Sequence, residues 1–369
     1  MKSRVFFIDF RATYKRNFSE KLKELLKSAG LEKCFDKRDL VALKLHFGET
    51  GNTAFIRPVY IRQVVQAIKN SGGRPFLTDA NTLYAGTRGD APDHLVTAIT
   101  NGFDYAVTEA PVVIADGLRG ATETPLEVKG RHISRAYIGT EIVQSDSLIS
   151  VAHFKGHELT GFGGAIKNVG MGCASRRGKM VQHSGVSPEI DISKCTGCRM
   201  CADHCVHNAI EMVNGKAEIN NDDCTGCGEC ILICEDKAVK IQWSRSVPVL
   251  LETMVDYCAA ALKNKEGKML FVNFINAVSP ACDCAPYNDA PIVRDIGVVA
   301  STDPVAADQA SVDMVNSEPA LPGSCIGKDA KAGSDKFRLI YPDVDWEHQL
   351  KYAEEIGLGS RSYKLEKIR

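Results

Sequence analysis

The chain has 369 residues, of which 44% are hydrophobic and 25% charged, and its formal net charge is −1. That is the composition of an ordinary folded globular protein with room for two or three domains. So small a charge argues against bulk electrostatic binding to nucleic acid or a membrane surface, and no apolar run approaches the length of a membrane span.

Strands and helices alternate from the start. Val5 to Phe10 reads as a strand; its apolar run is short and meets Asp9, unlike a signal peptide, so a cytoplasmic, reducing home is expected. Phe18 to Ala29 reads as an amphipathic helix, with Leu22, Leu25 and Leu26 on one face and Gly30 closing it. Asp39 to His46 is a buried strand. Pro58 opens a helix to Asn70, which Gly72-Gly73 ends. Arg74 to Thr78 is a strand, Asp90 to Asn101 a helix, and Val112 to Ala115 and Leu148 to Ala152 are further strands. Near the C-terminus come a helix from Val249 to Lys263, strands from Lys268 to Ile275 and Ile292 to Ala300, a helix opened by Asp303-Pro304 and running to Asn316, and a last helix from Asp345 to Ile356. This alternation predicts an α/β fold with a mostly parallel, doubly wound sheet.

Ligands of such sheets bind at the carboxyl ends of the strands. Polar residues gather there: His46 and Glu49, then Asp79, Asn81, Tyr84 and Arg88, then Ser301, Thr302 and Asp303. The loop Gly48-Glu49-Thr50-Gly51 is placed to flex over such a rim. His153 follows a strand, and His157 lies four residues on, the separation that puts two imidazoles on one face of a helical turn. Gly161, Gly163 and Gly164 lead into a helix bearing Lys167 and Asn168. A glycine-rich turn at a helix start exposes backbone N–H groups to an anion, and Lys167 adds charge. The segment is neither a Walker loop nor a dinucleotide-binding motif. His46, His153, His157, Lys167 and Asn168 are therefore the candidate catalytic residues, with a structural histidine pair as the bland alternative. The basic stretch Ser175 to Lys179 reads as a solvated loop, with contact to a small anionic substrate as the other option.

Between the two halves stand eight cysteines in two runs of C-x-x-C-x-x-C-x-x-x-C: Cys195, Cys198, Cys201 and Cys205, then Cys224, Cys227, Cys230 and Cys234. Three thiolates at steps of three on a tight loop face one cubane iron–sulfur cluster. The fourth opens a helix leading away, and in two-cluster ferredoxins it ligates the other cluster. Cys195, Cys198, Cys201 and Cys234 are thus expected on one 4Fe–4S cluster, and Cys224, Cys227, Cys230 and Cys205 on a second. Zinc favours paired C-x-x-C ligands, and disulfides suit small secreted scaffolds, so both fit less well. The usual proline after the fourth cysteine is replaced by Val206 and Glu235. The duplication extends to Asn208-Ala209-Ile210 and Lys237-Ala238-Val239, with a hairpin from Glu211 to Ile219 turning at Asn214-Gly215 and a closing strand from Val239 to Ile241. The expected organisation is an α/β body over 1–185 and 244–369, interrupted by a two-cluster ferredoxin module over 186–243. Asp191, Asp203, Glu211, Glu218, Asp222, Asp223, Glu229 and Asp236 make the module acidic, a docking face for a basic redox partner or simply a soluble surface.

Cys282-Asp283-Cys284 lies on a polar, proline-rich loop after a strand. Two thiols one residue apart suit a soft metal ion. His153, His157, Cys282, Cys284 and Cys173, with His183 as a further option, are the candidate ligands for one additional metal; two buried small residues are the alternative. Cys34, Cys258 and Cys325 look structural.

The stretch from His153 to His183, the two cysteine runs, and the segment from Cys282 to Ser311 together resemble the domain of unknown function 362 family, over nearly the whole chain. The resemblance implies an iron–sulfur protein of anaerobes and archaea, with an α/β body interrupted by a two-cluster ferredoxin, and supplies no activity. A weaker similarity, limited to a histidine-bearing glycine/lysine loop, is to nickel-dependent lactate racemase. The chain departs from it in its clusters and C-x-C pair, and no residue is carried over.

Two functions follow as expectations. In the first, the chain is a ferredoxin-type oxidoreductase whose clusters pass electrons between a redox partner and a metal or substrate site in the body. In the second, it is a non-catalytic electron carrier or redox sensor that docks a partner protein.

Overall fold

The structure, a computed structural model, describes residues 2–84, 86–184, 187–242, 246–327 and 330–368. The domain boundaries expected at 185/186 and 243/244 lie outside the described residues.

Eight strands form the central sheet, in the spatial order Tyr363–Lys367, Ser3–Asp9, Gly297–Ser301, Met269–Ile275, Ser147–His153, Leu40–Lys44, Arg74–Asp79, Val112–Ile114. Neighbours pair in parallel except around Gly297–Ser301, which runs antiparallel to both of its partners. Side chains alternate between the two sheet faces. Val41 and Leu43 pack with Ile149, Val151 and Val272 under the helices Phe18–Ser28 and Pro58–Asn70. Ala42 and Leu148 point to the other face, covered by Ala165–Gly170, Val247–Leu262 and Pro304–Ser317. The fold is therefore α/β with a mostly parallel sheet covered on both faces.

The helix ends follow local chemistry. Asn17 and Glu20 form a reciprocal capping box before Phe18–Ser28, and Asp303 accepts from Val305 and Ala306 ahead of Pro304. Three features depart from expectation. The strand from Ile292 begins only at Gly297. A hairpin of Glu123–Glu127 and Arg135–Gly139 and the edge strand Tyr363–Lys367 carry weak apolar patterns and were not anticipated. Ser175 to Lys179 is not a solvated loop: Ser175 caps a helix, Arg176–His183, most of whose side chains are buried.

The helix Ala165–Gly170 is anchored from across the core. Asp308, fully buried, accepts from Ala165 N (2.6 Å), Ile166 N (3.0 Å) and Asn273 Nδ2 (2.8 Å). The first N–H groups of this helix are thus satisfied internally, and the anion site expected at the glycine-rich turn is filled by a carboxylate of the chain itself. Asp308→Ala strands three buried donors and is expected to lower the unfolding free energy by about 3 kcal/mol, read from urea denaturation.

Residues 187–242 form a small body with its own core. Cys201, Ile210, Ala217, Ile231 and Val239 pack together, and Leu83 and Met180 of the large body join them. Its hairpin of Ile210–Val213 and Lys216–Ile219 turns at Asn214 and Gly215, both at positive φ, as a tight type I′ turn requires.

Candidate functional site

The parallel strands end on one rim, and a cavity of about 650 Å³ opens there. Lys44, Asp79 and His153 each end a strand and line it. Ser301 and Asp303 do not, because their strand runs the other way: Asp303 caps a helix and binds Ser3.

One wall is an ion network. Lys44 Nζ lies 2.9 Å from Asp79, and Arg88 contacts Glu49 at 3.0 Å and Asp79 at 3.5 Å. Burial alone would raise the Asp79 carboxyl; Lys44, His46, His94 and Arg88 outweigh it and hold it well below the usual carboxylate range. Arg88 also donates to Tyr84 Oη (2.7 Å), which donates to the Cys284 carbonyl (3.3 Å). The loop around Glu49 is tied rather than free: Glu49 is buried, its N–H donates to the Asp283 carbonyl (3.0 Å), and Asn52 reaches the Ala285 and Tyr287 carbonyls. Asn168 is a brace. Its oxygen accepts from Lys44 Nζ, and its amide donates to Ser150 Oγ and the Lys44 carbonyl. Asn81 holds Asp116 and lies outside the cavity lining.

The opposite wall carries sulfur. His157, Cys282 and Cys284 bring a nitrogen and two sulfurs within 4.8 Å of one another, donor types able to hold a metal ion. His153 and His157 do not share a helical turn; they lie on the successive strands Ser147–His153 and Lys155–His157. His153 faces Asp283 through Nδ1 (2.9 Å) and the Asn276 carbonyl through Nε2 (2.8 Å). Each nitrogen is engaged by an acceptor of the chain itself, and His153 is not part of the group formed by His157, Cys282 and Cys284. Cys173 lies in the apolar core, its thiol pushed up to about 11 by burial, and is not among the cavity-lining residues.

The hydrogen bonds of His157 set its tautomer. Its Nδ1 accepts from the backbone N–H groups of Leu159 (3.1 Å) and Thr160 (3.3 Å), so the ring proton sits on Nε2. A ring nitrogen of His157 lies within 4.8 Å of the Cys282 and Cys284 sulfurs. The Cys282 thiol is held well below its ordinary range, first by the hydrogen bond from Cys284, then by Lys167, Lys155 and His157 against the opposing effect of burial. Cys284 is raised in consequence. Lys167 Nζ stands 3.9 Å from Cys282 Sγ, and the Cys284 N–H donates to the same sulfur at 3.4 Å. His46 accepts at Nδ1 from Gly48 N, and burial keeps its ring neutral.

Lys44, Lys155 and Asp283 are groups of the site whose roles the sequence patterns did not single out, while Lys179, at the end of the basic stretch read as a solvated loop or an anion contact, lines the cavity. One signal was present: Lys44 interrupts an otherwise apolar buried strand. Another was the spacing of Arg176, Lys179, Met180 and His183, which marks one helical face.

The eight cysteines of the small body line two hollows. One is bordered by Cys195, Cys198, Cys201 and Cys234, the other by Cys205, Cys224, Cys227 and Cys230. The two halves repeat each other in backbone as well. Gly197 and Gly226 have φ of +77° and +72°, Arg199 and Gly228 +68° and +72°, and Asn208 and Lys237 both +52°. Cys205 Sγ accepts from Ala209 N (3.3 Å) and Cys234 Sγ from Ala238 N (3.2 Å). Backbone donors aimed at sulfur stabilise thiolates and tune bound clusters, so the donor set fits the group expected there. Burial raises the thiols of Cys201, Cys224 and Cys230, adjacent thiols adding to it and backbone N–H groups opposing it at Cys201 and Cys224.

The structure is an α/β protein with two kinds of sulfur-rich donor set, each of residue types able to hold a metal ion. The chain belongs to the family Domain of unknown function (DUF362), whose model matches residues 41–313. No curated protein matches it significantly. Among solved structures it is similar to the lactate racemase apoprotein from Thermoanaerobacterium thermosaccharolyticum, at 13% identity over 82% of this chain and 57% of that one, with a TM-score of 0.42. A protein from Thermotoga maritima gives 10% identity over 76% and 55%, with a TM-score of 0.40. The chain spans little more than half the length of either, and likenesses this distant carry no functional inference. No helix among the described residues is long and apolar enough to cross a membrane.

Proposed function

We propose that the chain is an iron–sulfur oxidoreductase in which two 4Fe–4S clusters carry electrons between a partner protein and a substrate in the body cavity. The observation that carries this is where the second cysteine hollow sits. Gly226 packs on Met180 and Gly228 on Leu83 and Arg176, so closely that a Cβ would come within 3.2 and 2.7 Å. Leu83 lines the cavity and also belongs to the small body's core, and buried Arg176 binds Glu229 at 2.7 Å. One layer of side chains thus separates the hollow of Cys205, Cys224, Cys227 and Cys230 from the cavity. A carrier or sensor has no use for such an abutment.

When bound, the clusters supply one-electron chemistry. Cys195, Cys198, Cys201 and Cys234 hold the outer one and Cys205, Cys224, Cys227 and Cys230 the inner one. Cys198 is exposed, as are Ile192 and Met200. That end is where a redox partner docks. Leu83 and Met180 exclude water between the inner hollow and the cavity. Around the substrate, Lys44 and Arg88 hold charge in place, and Lys167 stands beside the Cys282 sulfur.

Anaerobic protein supplied with iron and sulfide is expected to show thiolate-to-iron absorbance that bleaches with dithionite and returns on reoxidation. Absence of iron, or absorbance that does not respond to reductant, would remove the redox function.

A further inference from the structure

We propose that Lys179 is the acid that gives a proton to the substrate reduced in the cavity, with Asp116 as the positioning residue behind it. This rests on the electron path proposed above and adds the proton to it. Both meet on one helix, Arg176–His183. Its Arg176 and Met180 pack on Gly228 and Gly226, in the cysteine run of the inner hollow, and its Lys179 lines the cavity. Lys179 is buried, and its Nζ donates to the Ala174 carbonyl at 2.5 Å. An ammonium has three N–H donors. Among the described residues this one has that single acceptor and no carboxylate within salt-bridge distance.

Behind it stands a carboxylate with a spare oxygen. Asp116 is fully buried, and its Oδ1 accepts from Asn81 N and Asn81 Nδ2, both at 2.9 Å. Its Oδ2 has no hydrogen-bond partner among the described residues, and neither has Arg176 Nε. Both atoms border Gly120, where a Cβ would stand 3.2 Å from Asp116 Oδ2 and 3.3 Å from Arg176 Nε. Arg176 in turn binds Glu229, which lines the inner hollow, at 2.7 Å. Asp116 is thus shared between a cation of the cavity and a cation of the hollow.

The electrostatics suit proton exchange near neutral pH. Burial pushes Asp116 up to about 6, against the charges of Lys179 and Arg176 and the N–H of Asn81. Burial likewise holds Lys179 down at about 8, Asp116 and Asp79 opposing it and Lys44 adding to it. Cys173, His94 and His183 also face Lys179, and burial keeps that thiol and both rings neutral. An acid poised near the working pH is what general acid chemistry requires. In each cycle the substrate takes one electron from the inner cluster and one proton from the Lys179 ammonium, and the amine left behind recovers a proton from solvent. An electron held on the inner cluster raises the proton affinity of both groups across a low-dielectric interior, so reduction and protonation are linked.

The test is potentiometric titration of the clusters by electron paramagnetic resonance, without oxygen, on the full chain at several pH values from about 6 to 9. His207→Gln is present throughout, removing a histidine that borders the inner hollow. The inner cluster is the one whose signal survives Cys195→Ser with Cys198→Ser. Its reduction equilibrium should fall about threefold or more for each pH unit, tenfold (about 59 mV for one electron) being full coupling, while the outer cluster responds much less. Lys179→Met should flatten the upper part of that profile and Asp116→Asn the lower part, with iron content unchanged. A purely structural role would shift the potential equally at every pH. A level profile in the parent protein, or a slope that neither variant alters, would overturn the inference and leave the electron path standing. Protein that holds no iron would overturn both.

Discussion

Anaerobically prepared protein carrying Cys205→Ser and Cys224→Ser together should keep about four irons per chain, while Cys205→Ser with Cys195→Ser should keep almost none. The contrast follows from the two hollows. Cys205 and Cys224 border the same one, so losing both disables a single site and leaves the other with all four sulfurs. Cys205 and Cys195 border different ones, so each site loses a ligand. If each sequence run closed its own cluster, the outcomes would swap, because Cys195 and Cys205 belong to one run. Iron and sulfide analysis reads the difference directly. A complementary pair, Cys234→Ser with Cys201→Ser against Cys234→Ser with Cys227→Ser, repeats the test from the other side.

Asp79→Asn should destabilise the body by about 3–5 kcal/mol, a large part of the stability of an ordinary domain. Asp79 is the shared counter-ion of Lys44 and Arg88, all three nearly inaccessible to solvent. Its loss leaves buried positive charge with Glu49 as the remaining partner of Arg88 and none for Lys44. The sign of the pH dependence is fixed by the same contacts. The folded carboxyl of Asp79 titrates below its unfolded value, and so does that of Asp283, which His153 and Lys155 hold down against the effect of burial. Carboxylates of this kind contribute stability that is present above about pH 4 and lost as pH falls through their lower folded values. Wild-type protein should therefore weaken steeply on acidification below about pH 4, and Asp79→Asn should show a flatter profile over the same window, by circular dichroism in urea.

The parts of the fold written in short-range patterns are legible in the chain itself. The apolar runs of Leu40–Lys44 and Ser147–His153, the proline and cap ahead of Pro304–Ser317, and the Asn214-Gly215 turn each depend on neighbours in sequence. What escaped depends on partners far away. The edge strand Tyr363–Lys367 is held by pairing with Ser3–Asp9, some 360 positions earlier, rather than by its own apolar content. The direction of Gly297–Ser301 decides that Ser301 and Asp303 leave the rim, and no local signal encodes it. In the site, the sulfur-bearing loop and His157 were recognisable by residue type and placement. The role of His153 was not, because it turns on Asp283 and the Asn276 carbonyl rather than on its spacing from His157. Asp308, which fills the helix start beside Gly164, lies more than 140 residues from the helix N–H groups it satisfies.

The most direct measurement is anomalous diffraction at the iron absorption edge from crystals grown without oxygen. Two iron-centred peaks are expected, one enclosed by Cys195, Cys198, Cys201 and Cys234 and the other by Cys205, Cys224, Cys227 and Cys230, the second lying against Leu83 and Met180. Hollows empty of iron, or zinc ions seated between C-x-x-C pairs, would contradict the proposed electron path into the cavity.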